Sequence, residues 1–188
     1  MKKTLFIIGA VSLLFVQCKK DSDPFLIKNG AIGNLNKELK IKQIDSIFAG
    51  DSIVKINSSP NALETQGEVE IYEKGGKKLL LLSPDTENDP NATITNIQVF
   101  DARYKTEKGL TTASTFKDVK ANYTIDNIET TINAVVVFLK DTDVYLTIDK
   151  KSLPEELRYK MDLDIEADQI PDDAPIKYFM IGWDAPTE

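Results

Sequence analysis

The sequence predicts an α+β fold in which short helices pack on a mostly antiparallel β-sheet. Two short segments have apolar residues spaced three and four positions apart, as one face of a helix requires. These residues are Ile41, Ile44 and Phe48 in the first segment and Phe116, Val119 and Tyr123 in the second. Strand-like runs separated by turn signals follow each segment. This order suggests a tandem helix-then-strands repeat with halves at 30–103 and 104–188, although chance alone can also produce a sequence similarity this weak.

In the first half, the predicted helix covers 41–48, and Gly50 supplies a stop signal just after it. Runs rich in β-branched and aliphatic residues then predict four strands, at 53–56, 69–72, 79–82 and 94–100. Gly75 and Gly76 lie between the second and third of these strands. A tight hairpin is therefore expected at that point.

The second half starts with a predicted helix at 116–123, for which Thr115 and Asp118 have the spacing of a capping box. Four further strands are predicted at 125–131, 134–139, 144–149 and 163–170. A short helix is expected from Ser152, because a proline falls in its first turn. The apolar run at 176–183 predicts a buried closing strand.

The composition narrows the chemistry that the chain can perform. Its 188 residues include 30 acidic and 23 basic ones, a single cysteine and no histidine. The commonest general base and metal ligand is therefore missing, and one cysteine allows neither an internal disulfide nor a thiolate zinc site. The formal charge of −7 argues against a nucleic-acid partner. Since no serine-nucleophile or P-loop motif is present either, we predict a protein that is not an enzyme and holds no metal or cofactor.

The N-terminal segment predicts secretion. Met1–Lys3 is positively charged, and the apolar run Leu5–Val16 has twelve residues, too few for a permanent membrane span of about 20 residues. Cys18 follows this run closely, and Leu14–Cys18 resembles the lipobox of bacterial lipoproteins. The resemblance implies a signal peptide over 1–17, a lipid on Cys18, a lipidated tether over 18–29 and a single domain over 30–188. The alternative is an ordinary signal peptide beside an unmodified cysteine.

The residue after the cysteine bears on the destination of such a lipoprotein. Gram-negative lipoproteins with an aspartate at this position are retained in the inner membrane, whereas this chain has Lys19. The resemblance therefore implies the outer membrane, on its periplasmic face or at the cell surface. The expected contact with the membrane is the lipid anchor.

Two acidic segments are candidate calcium sites. In the first, four carboxylates alternate with apolar residues and would share one face of a strand; they are Asp162, Asp164, Glu166 and Asp168. That face could hold calcium or meet a basic partner, but a solvated strand face is favoured. The second segment, 85–89, lacks the glycine and the final acidic ligand of a calcium loop. It is predicted to be a polar loop.

The segment Tyr104–Phe116 resembles a stretch of small Gram-negative envelope lipoproteins of unassigned function. In that stretch T-x-x-G, an apolar residue and G-S-T-[FL] lead into a short helix. The matching residues here are Thr106, Gly109, Leu110 and Ser114–Phe116, and Ala113 replaces a glycine. The family has no assigned activity, so the resemblance implies none. Backbone N–H groups opening the helix could bind an anion, but a simple connection is favoured.

These features predict a lipid-anchored cell-envelope protein with a non-catalytic binding or assembly role and a protein or glycan partner. One alternative is a carbohydrate- or peptide-binding accessory lipoprotein, in which exposed aromatic rings provide stacking platforms. The candidate platforms are Tyr104, Tyr123, Tyr159 and Trp183, the last of which fits a core position equally well. A less favoured alternative is a glycan hydrolase with two facing carboxylates. An open sheet surface would instead favour a protein partner.

Overall fold

The computed structural model describes residues 23–56, 67–158 and 165–183. Within these ranges the chain forms an eight-stranded antiparallel sheet, a small four-stranded sheet and several short helices. The predicted α+β class is therefore confirmed. Cys18 and the predicted signal peptide lie outside the described residues.

The first half contains seven strands and one α-helix within the described residues. They are β1 (Leu26–Lys28), β2 (Ala31–Ile32), β3 (Leu35–Asn36), α1 (Ile44–Ile47), β4 (Ser52–Lys55), β5 (Val69–Tyr72), β6 (Lys78–Pro84) and β7 (Ile94–Val99). A 3₁₀ turn at Ile41–Gln43 precedes α1, so the helix predicted over 41–48 is part 3₁₀ and part α-helix. The strands β4 to β7 closely match the four predicted ones.

The second half follows with β8 (Lys105–Thr106), α2 (Phe116–Asn122), β9 (Ile125–Thr130), β10 (Ala134–Leu139), β11 (Val144–Asp149), α3 (Glu155–Arg158) and β12 (Tyr178–Gly182). The side chain of Asp118 accepts a hydrogen bond from Thr115 N at 2.8 Å, as the predicted capping box of α2 requires. The helix expected from Ser152 is α3, which follows a 3₁₀ turn at Lys150–Ser152. The predictions of β9, β10 and β11 are also confirmed.

The eight-stranded sheet joins two antiparallel meanders. Its strand order is β4-β5-β6-β7-β12-β11-β10-β9, so the strands of the two halves run inward from opposite edges. The halves meet where β7 pairs with β12, with Ile97 opposite Ile181. A short helix precedes each meander, α1 before β4 and α2 before β9. The fold therefore has the tandem helix-then-strands order that the sequence suggests.

One face of the large sheet forms the core. Successive side chains of a strand point to opposite faces, so alternate residues are buried. One row of paired residues crosses the sheet on the core face: Ile53, Ile71, Leu80, Val99, Phe179, Leu146, Val137 and Ile128. Ile44 of α1 and Phe116 and Val119 of α2 are fully buried in the same apolar cluster. The helices therefore cover this face of the sheet.

The opposite face of the large sheet is half-exposed. The adjacent row of paired residues lies there: Val54, Glu70, Leu81, Gln98, Met180, Tyr145, Phe138 and Asn127. None of these eight residues is buried, and the two at the sheet edges are exposed. We refer to this surface as the open sheet face.

The small sheet connects the N-terminal strand to the second half of the chain. Its order is β3-β2-β1-β8, and β1 runs parallel to β8 with Ile27 opposite Thr106. Ile27 is 3% exposed. Strand β1 therefore belongs to the folded domain, and the tether predicted over 18–29 is wrong at its C-terminal end.

The strand predicted over 163–170 is wrong in its described part. Residues 165–170 contain a 3₁₀ turn, Ala167–Gln169, in which Gln169 Oε1 accepts a hydrogen bond from Glu166 N at 2.8 Å. This local bond closes a capping turn and takes the place of sheet pairing. The strand that completes the second half is β12, predicted from 176–183, and it lies in the middle of the sheet between β7 and β11.

Candidate functional site

A cleft of about 590 Å³ lies where the β9–β10 turn, the chain leaving β11 and the chain entering β12 meet. Four of its lining residues are cationic, one is acidic, and two are uncharged. They are Lys150, Lys151, Arg158 and Lys177, then Asp149, then Ile132 and Asn133. We call this site the basic cleft. The net charge of these lining residues is positive, whereas the chain as a whole has a formal charge of −7.

Backbone hydrogen bonds assemble the segments of the basic cleft. Lys150 N donates to Asn133 O at 2.9 Å, which ties the chain after β11 to the β9–β10 turn. Lys177 N donates to Thr147 O at 2.8 Å, which extends the pairing of β11 with β12 as far as the cleft. Lys150 and Lys177 are therefore carried by backbone that the sheet holds in place.

Asp149 is the one carboxylate among the described lining residues, and it is already engaged. Its Oδ1 accepts a hydrogen bond from Lys151 N at 3.0 Å, and its Oδ2 accepts one from Lys177 Nζ at 3.0 Å. The bond from the Lys151 backbone, together with the Lys177 ammonium, lowers the pKa of Asp149. The bond to Asp149 raises the pKa of Lys177. Both groups are therefore charged at neutral pH.

Two cations of the basic cleft, Lys151 and Arg158, form no salt bridge in the part of the chain that the structure describes, although the Lys151 charge also acts on Asp149. Arg158 Nε donates to Leu153 O at 2.7 Å, which orients the guanidinium group. Lys151 is exposed, whereas Lys150 is only 3% exposed and forms part of the wall. An oriented cationic cavity of this kind can hold an anion.

A second charged cluster surrounds Asp101, just after β7. The Asp101 carboxylate is buried and accepts hydrogen bonds from Arg103 N at 2.9 Å, Arg103 Nε at 3.0 Å and Arg103 Nη2 at 2.6 Å. Lys77 Nζ lies 3.1 Å from Asp101 Oδ2, and Arg103 Nη1 donates to Glu73 at 2.8 Å. Burial alone would raise the pKa of Asp101, but the hydrogen bonds outweigh it and hold this pKa far below its usual range. These charges satisfy one another, so the cluster stabilises the fold.

The open sheet face is a third candidate surface. Phe138 and Tyr145 stack there with 5.6 Å between their ring centroids, and Asn96 Nδ2 donates to the Tyr145 hydroxyl at 2.8 Å. Phe100 and Tyr178 are 37% and 44% exposed. The surface mixes aromatic with polar groups, so it does not select one ligand chemistry.

Tyr104 is not the exposed stacking platform that the sequence suggests. It is 3% exposed, and Phe25 packs edge-on against its ring with 5.0 Å between centroids. Burial raises the pKa of the Tyr104 phenol. The physical reason is the parallel pairing of β1 with β8, which places Phe25 beside Tyr104 and closes this part of the core.

The other predicted aromatic platforms are dispersed. Trp183 is 5% exposed and belongs to the core, where its Nε1 has no hydrogen-bond acceptor among the described residues. Tyr123 is half-buried, with Lys108 Nζ 4.5 Å from its ring centroid. Tyr159 lies outside the described residues. Tyr104, Tyr123 and Trp183 therefore form no common groove within the part of the chain that is described.

The loop at 85–89 uses its carboxylates internally. Asp85 Oδ2 accepts a hydrogen bond from Thr93 Oγ1 at 2.7 Å, and Asp89 Oδ1 accepts one from Asn91 N at 2.8 Å. The bond from Thr93 lowers the pKa of Asp85. These contacts are those of a polar loop, as predicted.

The alternating carboxylates of the other acidic segment do not form a strand face in the described residues. Glu166 and Asp168 belong to the 3₁₀ turn region, and Asp162 and Asp164 lie outside the described residues. No three acidic or cysteine side chains in the described ranges come close enough together to hold a metal ion. In the same ranges no helix has the length and apolar character needed to cross a membrane.

Sequence reasoning missed the basic cleft. The Lys150-Lys151 doublet is visible in the sequence, but nothing local links it to Arg158 or Lys177. Pairing of β11 with β12 brings Lys177 to the doublet, and Arg158 reaches the cleft from α3. Paired strands need not be neighbours in sequence. A charge count for each end of each predicted strand could have flagged the cationic end of β11.

The structure thus defines an α+β domain with a cationic cleft. No protein-family model matches the chain, and no curated protein matches it. The fold is similar to that of the uncharacterized protein yfeY from Escherichia coli, known from a crystal structure, with a TM-score of 0.51 and 15% sequence identity. The similarity covers 84% of this chain and 97% of that chain. It is a similarity of fold, and the uncharacterized neighbour adds no activity.

Proposed function

We propose that the protein is a lipid-anchored cell-envelope protein whose folded domain binds a ligand without catalysing a reaction. The basic cleft carries this proposal. Its volume of about 590 Å³ falls within the range of small-molecule sites, about 300–1,000 Å³. A few oriented polar groups, such as the guanidinium of Arg158, are what such sites use to select a ligand.

The position of Cys18 supports anchoring at a membrane. Strand β1 begins at Leu26, eight residues after Cys18. Eight fully extended residues span at most about 29 Å, so a lipid on Cys18 keeps the domain close to the bilayer. Two or three acyl chains are enough for stable anchoring, because each buried CH₂ contributes about 0.8 kcal/mol. Lys19, in place of an aspartate, favours the outer membrane.

The chemistry of the basic cleft favours binding over glycan hydrolysis. A glycosidase needs two carboxyl groups, and the one that acts as general acid has a raised pKa. Asp149 is the one carboxylate of the described lining, and its pKa is lowered, with Lys177 as its ion-pair partner. Asp149 is therefore a poor proton donor at neutral pH.

The Cys18→Ala variant tests the anchor. In cells fed an alkyne-labelled fatty acid, the wild-type chain should carry the label and sediment with the membranes. The variant should lose the label and leave the membrane fraction, because the acceptor thiol is gone. A variant that keeps both its acyl label and its membrane association would contradict the proposed anchor.

The Lys19→Asp variant tests the destination. Separation of inner and outer membranes on a density gradient should place the wild type in the outer membrane and Lys19→Asp in the inner membrane. Lys19→Ser is the matched control, because it removes the same positive charge without introducing the retention residue, and it should remain in the outer membrane. Recovery of the wild type in the inner membrane would contradict the proposed location.

A further inference from the structure

We infer that the basic cleft binds a small organic dianion, and that a phosphate monoester is the best chemical fit. The inference rests on the proposed binding role but is independent of the lipid anchor. It specifies the ligand class from the groups that line the cleft: Lys150, Lys151, Arg158, Lys177 and Asp149.

The charge balance of the cleft sets the charge of the ligand. The carboxylate of Asp149 lies 3.0 Å from Lys177 Nζ, so these two charges compensate each other. Lys150 is 3% exposed and is already engaged by its surroundings. Lys151 and Arg158 line the same cavity and form no salt bridge among the described residues. Cations confined to one cavity disfavour one another, and an anion of charge two offsets both. A phosphate monoester carries a charge between about −1.5 and −2 at neutral pH.

The geometry of Arg158 sets the kind of anionic group. Its Nε donates to Leu153 O at 2.7 Å, and its two Nη atoms have no acceptor in the described chain, so they are available to a ligand. A planar guanidinium donates two parallel hydrogen bonds to oxygens of one phosphate or carboxylate group. A lysine ammonium completes such a site as a mobile point charge, and Lys151 is exposed and placed to do so.

The size and surroundings of the cleft limit the ligand to a small molecule. About 590 Å³ leaves room for an organic group beside the phosphate, and Ile132, which is 71% exposed, offers that group an apolar contact. The formal charge of −7 repels long polyanions, so the attraction is confined to an anion that fits inside the cleft.

Calorimetry on the mature lipidated protein in phosphatidylcholine nanodiscs tests the ligand class. Glucose 6-phosphate should bind saturably and should bind more weakly as salt is raised. Glucose 6-sulfate is the matched monoanion and should bind about tenfold more weakly, while glucose should give no heat of binding. No saturable binding of glucose 6-phosphate, or equal binding of glucose, would overturn the inference.

Two substitutions test the location of the site. Arg158→Gln and Lys151→Gln should each raise the Kd for glucose 6-phosphate about tenfold. Lys74→Gln is the matched control, because Lys74 lies on the β5–β6 turn in the other half of the sheet, which β7 and β12 separate from β11, and it should bind as the wild type does. Lys151 is exposed, so its replacement keeps the test valid if Arg158→Gln disturbs α3. Unchanged binding in Lys151→Gln and in a folded Arg158→Gln would overturn the inference.

A competing lipid distinguishes the two sources of a phosphate monoester. Phosphatidic acid in the nanodiscs should abolish glucose 6-phosphate binding if the natural ligand is a lipid head group, and should leave it unchanged if the ligand is soluble. Either result supports a dianion site. If no dianion binds but Cys18→Ala still leaves the membrane fraction, the ligand class is overturned. The anchored-protein proposal then stands.

Discussion

The Asp101→Asn substitution is expected to destabilise the fold, because it removes the charge around which the loop after β7 is organised. The carboxylate accepts three hydrogen bonds from Arg103, and Lys77 Nζ lies 3.1 Å from it. Asparagine has nearly the same shape but keeps only one acceptor oxygen and presents an NH₂ group. In the variant this NH₂ group faces further donors from Arg103 and Lys77.

The expected size of this effect follows from the burial of each partner. Breaking a buried ion pair costs about 3–5 kcal/mol, whereas exposed pairs contribute about 0–1 kcal/mol. The Asp101 side chain is 1% exposed, but those of Arg103 and Lys77 are 41% and 59% exposed, so both cations can regain water in the variant. We therefore expect an intermediate loss of about 2–3 kcal/mol, or about 4–12 °C in Tm for a chain of this length.

Urea unfolding followed by tryptophan fluorescence measures this loss. Trp183 is the single tryptophan and is 5% exposed, so its emission reports the opening of the core. Glu73→Gln is the control. It removes only the exposed ion pair between Glu73 and Arg103 and should shift the unfolding midpoint little. If Asp101→Asn is as stable as the wild type at neutral pH, the reasoning is refuted.

Acidification provides a second check on the same reasoning. The pKa of Asp101 is lower in the folded state than in the unfolded state. Its stabilisation is therefore fully present above the unfolded value of about 3.9 and is lost as the pH falls toward the folded value. The stability difference between wild type and Asp101→Asn should shrink below about pH 4. A difference that stays constant during acidification would point to a steric cause.

Two further pairs of substitutions test the core and the N-terminal strands by the same unfolding assay. Phe116→Ala should lower the free energy of unfolding by about 3–5 kcal/mol, because Phe116 is fully buried. Tyr178→Ala should lower it much less, because Tyr178 is 44% exposed. Similar losses in the two variants would contradict the packing described. Gly33 has φ +55°, and an added Cβ would lie 2.2 Å from Pro24 O, whereas Gly109 has φ +84° and open space. Gly33→Ala should therefore destabilise the fold more than Gly109→Ala does. The cost of Gly109→Ala is about 1–2 kcal/mol of backbone strain. The reverse order would count against the placement of the N-terminal segment.

The strands of the large sheet were predictable because burial of one face of a strand produces an alternating pattern in its sequence. In β5, for example, Val69 and Ile71 are buried while Glu70 and Tyr72 are half-buried. Any strand with one covered face requires such an alternation. The short helix α2 was predictable for a similar reason, since Phe116 and Val119 both face the core and the capping box marks its start.

The same logic failed where a local hydrogen bond competed with sheet pairing. The alternation around Glu166 has the pattern of a strand, yet the Gln169 side chain bonds back to Glu166 N and forms a 3₁₀ turn. Tyr104 shows a different failure. Its burial depends on Phe25, which directly precedes the distant strand β1, and nothing near Tyr104 in the sequence indicates that contact.

The order of α1, α2 and the strands of the large sheet, and the missing histidine chemistry, were determined by the sequence alone, because periodicity and composition are properties of neighbouring residues. Only the tertiary structure decided that β12 lies between β7 and β11, and that Lys177 therefore comes within 3.0 Å of Asp149. Arg158 joins them from a separate short helix. Pairing between strands distant in sequence follows from the packing of the whole chain, so a site built by that pairing has no local signature.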